Sequence, residues 1–331
     1  IKERFHFEHM DYNVEKKEVA LLDGQIYSYD YLVLAMGSQT NYFGIPGIEN
    51  HAFAFKSSQE ALALKDHFLE LLQLSTNVSK EELVRRFHVT VVGGGPSGVE
   101  LAGDITTYLR AMAKRYHIDP SFVTLDLIES NPRVLCMLPS SVSKKAEARL
   151  RKLKVNLYTN RTLQAQDLDN ITASGMTLRS STVIWTAGTK VNEAFNTLPL
   201  DAKKRVAVNS DFTLPNESNV FVVGDGASMS GTGLAQGAIS HGAYVGKAII
   251  NRTKNRKTIP FKSKTLGYLV PIGHNWAVFS YKGITISGFI PWLMRSFVDF
   301  HYFTTIVSWK YVFEIFKQGK KYRKGGVHFY D

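Results

Sequence analysis

Three glycines near position 95 have the spacing of a turn that binds phosphate. A β-branched run at 89–92 leads into Gly93-Gly94-Gly95-Pro96-Ser97-Gly98, and an apolar helical pattern follows. In such a strand–turn–helix unit Gly93 permits the tight turn, Gly95 lets the backbone approach the phosphates, and Gly98 lets the helix pack against the strand. The N–H groups at the helix N-terminus then face the anion. Because the flanking strand and helix accompany the glycines, the pattern predicts a dinucleotide site.

A carboxylate at the end of the next predicted strand is the expected partner of this turn. Glu129 ends the apolar run at 122–129, where it would accept hydrogen bonds from the adenosine ribose and repel a 2′-phosphate. NADH is therefore predicted over NADPH. The distance in sequence from Gly98 exceeds the usual ~20 residues, so 110–120 should form a helix extension and a loop. Arg133 follows; it could meet a phosphate, but a solvated side chain is expected.

Other buried strands also end in glycine. The apolar runs at 31–35, 182–185 and 219–223 are followed by Gly37, by Ala187-Gly188 and by Gly224-Asp225. Ligands bind at the carboxyl edge of strands in open α/β sheets, so these positions predict a second nucleotide site. Asp225 could instead be an ordinary turn or helix-capping residue.

The remaining elements are predicted from periodicity and caps. Residues up to about 42 alternate like a β-meander, with a hairpin turn at Asp23-Gly24. Helices are predicted after Ser57, after Pro139 and Ser143 through Leu153, and from about Leu234 through Ile250. The chain begins at Ile1, directly before strand-like sequence at 5–9, and is therefore expected to be the interior of a longer protein.

Composition narrows the class of protein. The chain has 331 residues, a net charge of +11 and a pI near 9.5, which suits nucleic acid or an anionic membrane surface equally. Cys136 is the only cysteine, so no intramolecular disulfide can form, and a reducing, cytosolic location is expected. Its apolar neighbours predict a small buried side chain. No apolar run approaches the ~18 residues of a spanning helix, and the histidines lack metal-ligand spacing, so no metal is expected.

The C-terminal region combines apolar, aromatic and basic residues. Apolar residues recur at helical spacing from Trp292 to Ile315, and a basic tail runs from Lys310 to Lys324. This composition predicts an amphipathic helix lying on a membrane surface. A dimerisation or core-packing helix is the alternative, and a homodimer stays open. No nucleic acid is expected as a partner, because no recognition fold accompanies the basic residues.

The order of these motifs resembles the flavoproteins with two dinucleotide-binding domains, and within them the type II NADH dehydrogenases (NADH:quinone oxidoreductases). The resemblance covers nearly the whole chain. Its more specific parts are Tyr29-Asp30-Tyr31-Leu32-Val33 and Asn41-Tyr42-Phe43-Gly44-Ile45-Pro46-Gly47, and its general parts are the glycine turn, Val222-Val223-Gly224-Asp225 and Ala235-Gln236-Gly237-Ala238.

The resemblance implies FAD and NADH as cofactors and a quinone as acceptor. It places Asp225 and Gly224 at the FAD ribityl or phosphate region, and Gly37 near the flavin. Ala235 and Gln236 would lie beside the isoalloxazine ring, near the quinone. Glu100 would lie at the nicotinamide end, with Ala187 and Gly188 at the crossover between the cofactors. Glu100 and Gln236 are the predicted catalytic residues.

Three departures from the family pattern matter. The family's first Gly-x-Gly-x-x-Gly, which binds FAD, has no counterpart here. Met36 replaces a usual threonine, and Ser240 stands where the family has a second glutamine, with His241 beside it as a substitute hydrogen-bond donor for quinone.

The predicted fold is α/β, with two Rossmann-like domains and a C-terminal membrane-anchoring segment. The predicted division is a partial FAD domain at 1–55, an NADH domain at 56–190, the rest of the FAD domain at 191–258, and an interface region at 259–331. The expected activity is NADH:quinone oxidoreduction by a peripheral enzyme on the cytoplasmic face of the cell membrane. A soluble acceptor, or a non-catalytic NADH-binding remnant, is the alternative.

Overall fold

A computed structural model of the chain describes residues 10–21, 23–75, 78–263 and 267–323. These residues divide into two compact units. The first takes its residues from 1–39 and 189–265, and the second from 40–188 and 266–331. The strand expected at 5–9 and the end of the basic tail at Lys324 lie outside the described residues. The four-part division stated above stays a prediction.

A five-stranded parallel sheet forms the centre of the second unit, with the strand order β6-β13-β7-β8-β9. Its strands are β6 (Phe53–Ala54), β7 (His88–Val92), β8 (Thr124–Ile128), β9 (Val155–Tyr158) and β13 (Thr182–Trp185). Val89 pairs with Leu125 on one side and with Thr182 on the other. Nearly every residue of the three central strands is buried, as expected for a parallel sheet covered on both faces.

Helices cover this sheet. They are α1 (Ile48–His51), α2 (Ser58–Gln73), α3 (Lys80–Arg86), α4 (Pro96–Arg115) and α5 (Ser140–Lys152), with a 3₁₀ turn at Pro120–Phe122. The predicted start of α2 is confirmed, because Ser57 and Glu60 form a reciprocal capping box. Along α4, Leu101, Ile105 and Leu109 recur every four residues and are buried in the core. The sheet and its helices confirm the predicted α/β class.

Two antiparallel sheets complete the second unit. The first consists of β10 (Leu163–Gln166), β11 (Asn170–Ala173) and β12 (Met176–Arg179), and the second of β17 (Tyr268–Pro271), β18 (Ala277–Tyr281) and β19 (Ile284–Gly288). No pattern in the sequence predicted β17–β19. This meander lies so close to α4 that a Cβ on Gly103 would be 2.6 Å from the Gly273 nitrogen. Arg149 of α5 donates to the carbonyls of Ile272 and His274.

The C-terminal apolar pattern forms two helices rather than the single helix predicted. They are α7 (Phe289–Ile306) and α8 (Trp309–Arg323), and the rings of Phe300 and Trp309 pack 5.7 Å apart across the break. Ile290, Leu293 and Phe297 follow helical spacing on α7 and are 67%, 41% and 67% exposed. Within the described ranges no helix is both long and apolar enough to cross a membrane.

The first unit contains short sheets and one long helix. Its elements are β1 (Met10–Asn13), β2 (Glu18–Leu21), β3 (Ile26–Ser28), β4 (Leu32–Leu34), β15 (Thr213–Leu214), β16 (Glu217–Val222) and α6 (Ala235–Thr253), with 3₁₀ turns at Glu193–Phe195 and Gly224–Gly226. The chain passes between the units at β5 (Ser38–Thr40) and β14 (Thr189–Val191). The predicted hairpin at Asp23-Gly24 is confirmed by the antiparallel pairing of β2 with β3. Strand β4 lies parallel to β16, and Phe195, Phe212 and Phe221 are buried in the core beside them.

The burial predicted for Cys136 is wrong. It is exposed, although its apolar neighbours predicted burial. Leu135 adopts a positive φ of 52° and is buried, as is Leu138. The tight turn formed there directs Leu135 into the core and leaves the next residue in solvent.

Candidate functional site

The glycine turn of the second unit has the predicted geometry. The Gly93 N–H donates to the Ile128 carbonyl at 2.8 Å, and Gly93 has a φ of 111°, which favours glycine. A Cβ on Gly98 would lie 1.8 Å from the Gly93 oxygen, and one on Gly93 would lie 2.7 Å from the Ala187 Cα. By contrast, no heavy atom would lie within 4 Å of a Cβ on Gly95. Gly93 and Gly98 are therefore required by packing, whereas Gly95 faces open space.

The start of α4 can receive an anion. Gly95 is the N-cap residue and supplies no side-chain hydrogen bond, and Pro96 occupies the first turn. The N–H groups of the first turn therefore lack an intrahelical partner. Because the helix N-terminus carries partial positive charge, this turn fits a pyrophosphate.

Glu129 lies directly beside the turn, as predicted. Its Oε2 accepts the Gly94 N–H at 2.6 Å, and its Oε1 accepts from the Asn131 backbone N–H at 2.7 Å and from Asn131 Nδ2 at 2.6 Å. Ser130 Oγ donates to the same oxygen at 3.1 Å. The carboxylate is thus buried and fixed by four donors, and the role predicted for it toward a ribose stays a prediction.

Arg133 is half-buried and hydrogen-bonded within the chain, whereas a solvated side chain was expected. Its guanidinium donates to the carbonyls of Leu135, Cys136 and Leu138 and to the Ser143 hydroxyl. The sequence does not reveal this role, because a basic residue in a predicted loop gives no signal of burial. The neighbouring proline and the apolar residues at 134–138 were the available hint.

Ala187 and Gly188 also lie beside the glycine turn, after the end of β13. Thr186 connects the two segments, since its N–H and its Oγ1 both donate to the Val92 carbonyl, at 2.8 and 2.9 Å. Ala187 is exposed. A Cβ on Gly188 would lie 2.5 Å from the Phe43 ring, so a side chain there would displace that ring.

Glu100 lies in the first turns of α4 and is half-buried. Burial raises the pKa of its carboxyl to about 7; Arg295 opposes the rise, and Asp104 and Asp299 add to it. Arg295 forms an ion pair with Asp299 at 2.9 Å. Glu100 therefore exchanges a proton near neutral pH, which suits proton transfer at a site.

The first unit holds the other predicted residues. Gly224 has a φ of 70° and begins the turn after β16, and Asp225 is half-buried. Ser38 Oγ donates to Asp225 Oδ2 at 2.7 Å, so the carboxylate lies next to the loop that follows β4. Gly37 in that loop has a φ of 67°. The two strand ends therefore meet at one edge, where open α/β sheets bind ligands.

Ala235 and Gln236 form the exposed start of α6. Ser240 Oγ donates to the Gln236 carbonyl at 2.8 Å. A Cβ on Gly237 would lie 1.9 Å from the Gly231 oxygen, so the loop before α6 packs directly on its first turn. These residues adjoin the Gly224 turn through α6.

His241 cannot donate to a quinone, contrary to expectation. It is fully buried, its Nδ1 lies 3.3 Å from the Gly224 N–H, and its Nε2 lies 3.0 Å from the Ser230 carbonyl. This pairing requires a neutral ring with the proton on Nε2. Burial lowers the pKa of His241, against opposing effects from Ser230 and Asp225. The histidine therefore holds the Gly224 turn. In the part of the chain that the structure describes, no group of three or more His, Cys, Asp or Glu could hold a metal ion.

The sequence matches the profile of the pyridine nucleotide-disulphide oxidoreductase family over residues 3–242. It is 31% identical over 317 residues to the type II NADH:quinone oxidoreductase Ndh of Mycobacterium tuberculosis, covering 88% of this chain and 68% of the relative. It is 30% identical over 312 residues to the mitochondrial internal alternative NAD(P)H-ubiquinone oxidoreductase A1 of Solanum tuberosum, covering 86% and 62%. The chain thus spans about two thirds of the length of these relatives.

The fold is similar to that of NDH2 from Plasmodium falciparum in complex with NADH. The TM-score is 0.83 at 20% identity, over 97% of this chain and 84% of that one. The sulfide:quinone oxidoreductase of Aquifex aeolicus matches with a TM-score of 0.67 at 18% identity, over 89% and 72%. These likenesses confirm the α/β dinucleotide-binding fold.

Proposed function

Because this chain belongs to the pyridine nucleotide-disulphide oxidoreductase family, and within it to the type II NADH:quinone oxidoreductases, we propose that it oxidises NADH and passes the electrons through FAD to a quinone. One observation carries the proposal. It is the glycine turn between β7 and the uncapped N-terminus of α4, with Glu129 bound to Gly94.

The second unit binds NADH in this proposal. The pyrophosphate occupies the open space at Gly95 and accepts hydrogen bonds from the first turn of α4. The adenosine ribose lies toward Glu129, whose negative charge disfavours a 2′-phosphate. The nicotinamide end lies toward Glu100, Ala187 and Gly188. These side chains orient the dinucleotide rather than attack it.

The first unit contributes residues that would hold FAD. Asp225, fixed by Ser38, and the N-terminus of α6 at Ala235 offer a carboxylate and backbone donors at the ligand edge of the sheet. The sequence contains one Gly-x-Gly-x-x-Gly turn, and we assign that turn to NADH. When bound, FAD supplies the redox chemistry, a two-electron exchange between nicotinamide and quinone.

Two side chains act near the reacting groups in this proposal. The carboxyl oxygen of Glu100 holds a proton below about pH 7 and releases it above, so it can hold or return the proton that accompanies electron transfer. Gln236, exposed at the start of α6, positions the quinone through its amide.

A membrane surface is the proposed location, on the cytoplasmic face. The support is the exposed apolar stripe of α7, formed by Ile290, Leu293 and Phe297, followed by the basic α8. Apolar residues on one helical face with nearby lysines are typical of helices that lie in the interface. In a co-sedimentation assay with anionic vesicles, we expect Ile290→Glu and Phe297→Glu to weaken binding. Unchanged binding, or loss of a homodimer instead, would contradict this location.

The activity is tested on the purified full-length protein. We expect flavin absorption bands that bleach when NADH is added without oxygen, and that return when a soluble quinone analogue is added. Bleaching without reoxidation by the quinone would indicate a different acceptor. A colourless protein that gains no activity with added FAD would refute the oxidoreductase and leave an NADH-binding remnant.

A further inference from the structure

We propose that Arg133 is a positioning residue for the dinucleotide. Arg133 fixes the loop after β8. This loop in turn holds both the N–H and the carbonyl of Gly94, the middle residue of the glycine turn. The inference rests on the proposed NADH binding and concerns affinity for NADH rather than the redox step. We call residues 129–138 the clamp loop.

The guanidinium of Arg133 organises the clamp loop. Nη1 donates to the Leu135 carbonyl at 3.1 Å and to the Ser143 hydroxyl, and Nη2 donates to the carbonyls of Cys136 and Leu138 at 2.6 and 3.0 Å. Hydrogen bonds from a charged donor are about twice as strong as neutral ones. They hold Leu135 at a φ of 52°, a region that a branched side chain rarely adopts without support.

The clamp loop in turn holds Gly94. The Leu135 N–H donates to the Gly94 carbonyl at 2.7 Å, and Glu129 Oε2 accepts the Gly94 N–H at 2.6 Å. Leu135 is 1% exposed, so this hydrogen bond is shielded from water. A Cβ on Gly94 would lie 2.8 Å from Glu129 Oε2, which shows how closely the loop and the turn approach.

The hydrogen bonds on Gly94 direct the Gly95 N–H toward the open space beside Gly95. The peptide between Gly94 and Gly95 is planar and trans, so its C=O and N–H point in opposite directions. With the carbonyl fixed on Leu135, the Gly95 N–H is directed away from the clamp loop. Gly95 is the residue whose surroundings are open. Arg133 thus acts on the phosphate-binding N–H through Leu135 and Gly94.

Direct contact between Arg133 and the nucleotide is disfavoured. All four of its Nη–H groups point to acceptors within the chain, because each Nη atom has two partners. No Nη–H remains for a 2′-phosphate. Replacing Arg133 should therefore lower the affinity for both NADH and NADPH and leave their ratio unchanged.

The experiment compares Arg133→Ala with Arg149→Ala in the full-length protein. Arg149 is the matched control, because it also donates to two backbone carbonyls of the second unit, at 3.2 and 3.0 Å, but away from the glycine turn. We expect both variants to lower Tm. Only Arg133→Ala should raise the KM and Kd for NADH, roughly 10- to 100-fold as when a positioned group is displaced, with kcat unchanged. Arg133→Lys keeps the charge but not the fork and should fall between.

Each outcome decides the inference. Equal KM values in Arg133→Ala, Arg149→Ala and the unaltered protein would overturn it and leave the proposed function intact. A changed ratio of NADH to NADPH affinity would also overturn it, because Arg133 would then contact the nucleotide. Should Arg133→Ala fail to fold, an unchanged KM in Arg133→Lys overturns the inference. Failure of the unaltered protein to bind NADH refutes the proposed function instead.

Discussion

Adding one methyl group at Gly98 should disturb packing, whereas adding one at Gly95 should disturb NADH binding. Replacing Gly98 by alanine places a Cβ 1.8 Å from the Gly93 oxygen and 2.6 Å from Thr186 Oγ1. The first is a backbone atom and the second is hydrogen-bonded to the Val92 carbonyl, so the turn and α4 must shift apart. In Gly95→Ala the new Cβ meets no heavy atom within 4 Å, and the φ of −71° suits alanine.

The expected magnitudes differ accordingly. Overpacking of this kind costs about 1–3 kcal/mol, and a domain of this size loses about 2–4 °C of Tm per kcal/mol. We therefore expect Gly98→Ala to lower Tm by about 2–12 °C. Gly95→Ala should cost about 1 kcal/mol or less as an N-cap change. Its methyl group instead occupies the proposed phosphate position and removes a charge-assisted hydrogen bond of about 1.5–3 kcal/mol, or roughly 10- to 100-fold in Kd.

The assay measures thermal unfolding and NADH titration for both variants and the unaltered protein. Gly95→Ala should lower Tm by no more than about 4 °C but should weaken NADH binding, whereas Gly98→Ala should lower Tm by as much as about 12 °C. A Gly95→Ala variant with normal NADH affinity would refute the assignment of the open space to phosphate. A Gly98→Ala variant with an unchanged Tm would refute the close packing of α4 on the turn.

Three further predictions concern side chains that carry or accept protons or hydrogen bonds. Burial raises the pKa of Glu100 to about 7, so its contribution to folding stability falls as the pH rises from 4.5 to 7. The Tm of Glu100→Gln relative to that of the unaltered protein should therefore rise over this range, and the rate profile of the variant should lack an inflection near pH 7. Parallel curves of Tm against pH would contradict this. Because the pKa of His241 is lowered, its contribution to stability is complete above pH 6.5 and falls as the pH drops below that value, so flavin retention should decline on acidification. His241→Leu should lose flavin at pH 8, whereas His241→Gln should keep it. Equal flavin retention in the two variants would refute the role of the ring nitrogens. Glu129→Ala should narrow the preference for NADH over NADPH in kcat/KM, and an unchanged ratio would show that the carboxylate serves only Gly94.

The sequence predicted the elements whose signals are local. Parallel strands such as β7 and β13 are continuous apolar runs, and the start of α2 is marked by Ser57 and Glu60. The position of Glu129 beside the glycine turn followed from strand order alone, since β7 and β8 are adjacent. These features depend on neighbouring residues or on one rule of sheet topology.

Features that depend on distant contacts were not predicted. The meander β17–β19 has short strands, and it is stabilised partly by packing on α4 at Gly103, which no local pattern reveals. The polarity of Arg133 predicts a solvated side chain, and that of His241 predicts a ring that faces a ligand. Both instead form hydrogen bonds mainly with backbone groups, and those partners come together only when the chain has folded.

The meander has a geometric consequence. It packs on α4 at Gly103 and Gly273, is tied to α5 by Arg149, and continues directly into α7 after Gly288. The glycine turn and the exposed stripe of α7 therefore belong to one compact unit, linked through the length of α4. If α7 lies flat on a bilayer, the dinucleotide approaches at a fixed angle to the membrane plane. A probe attached near Gly95 would then have a narrow distribution of tilt relative to the membrane plane.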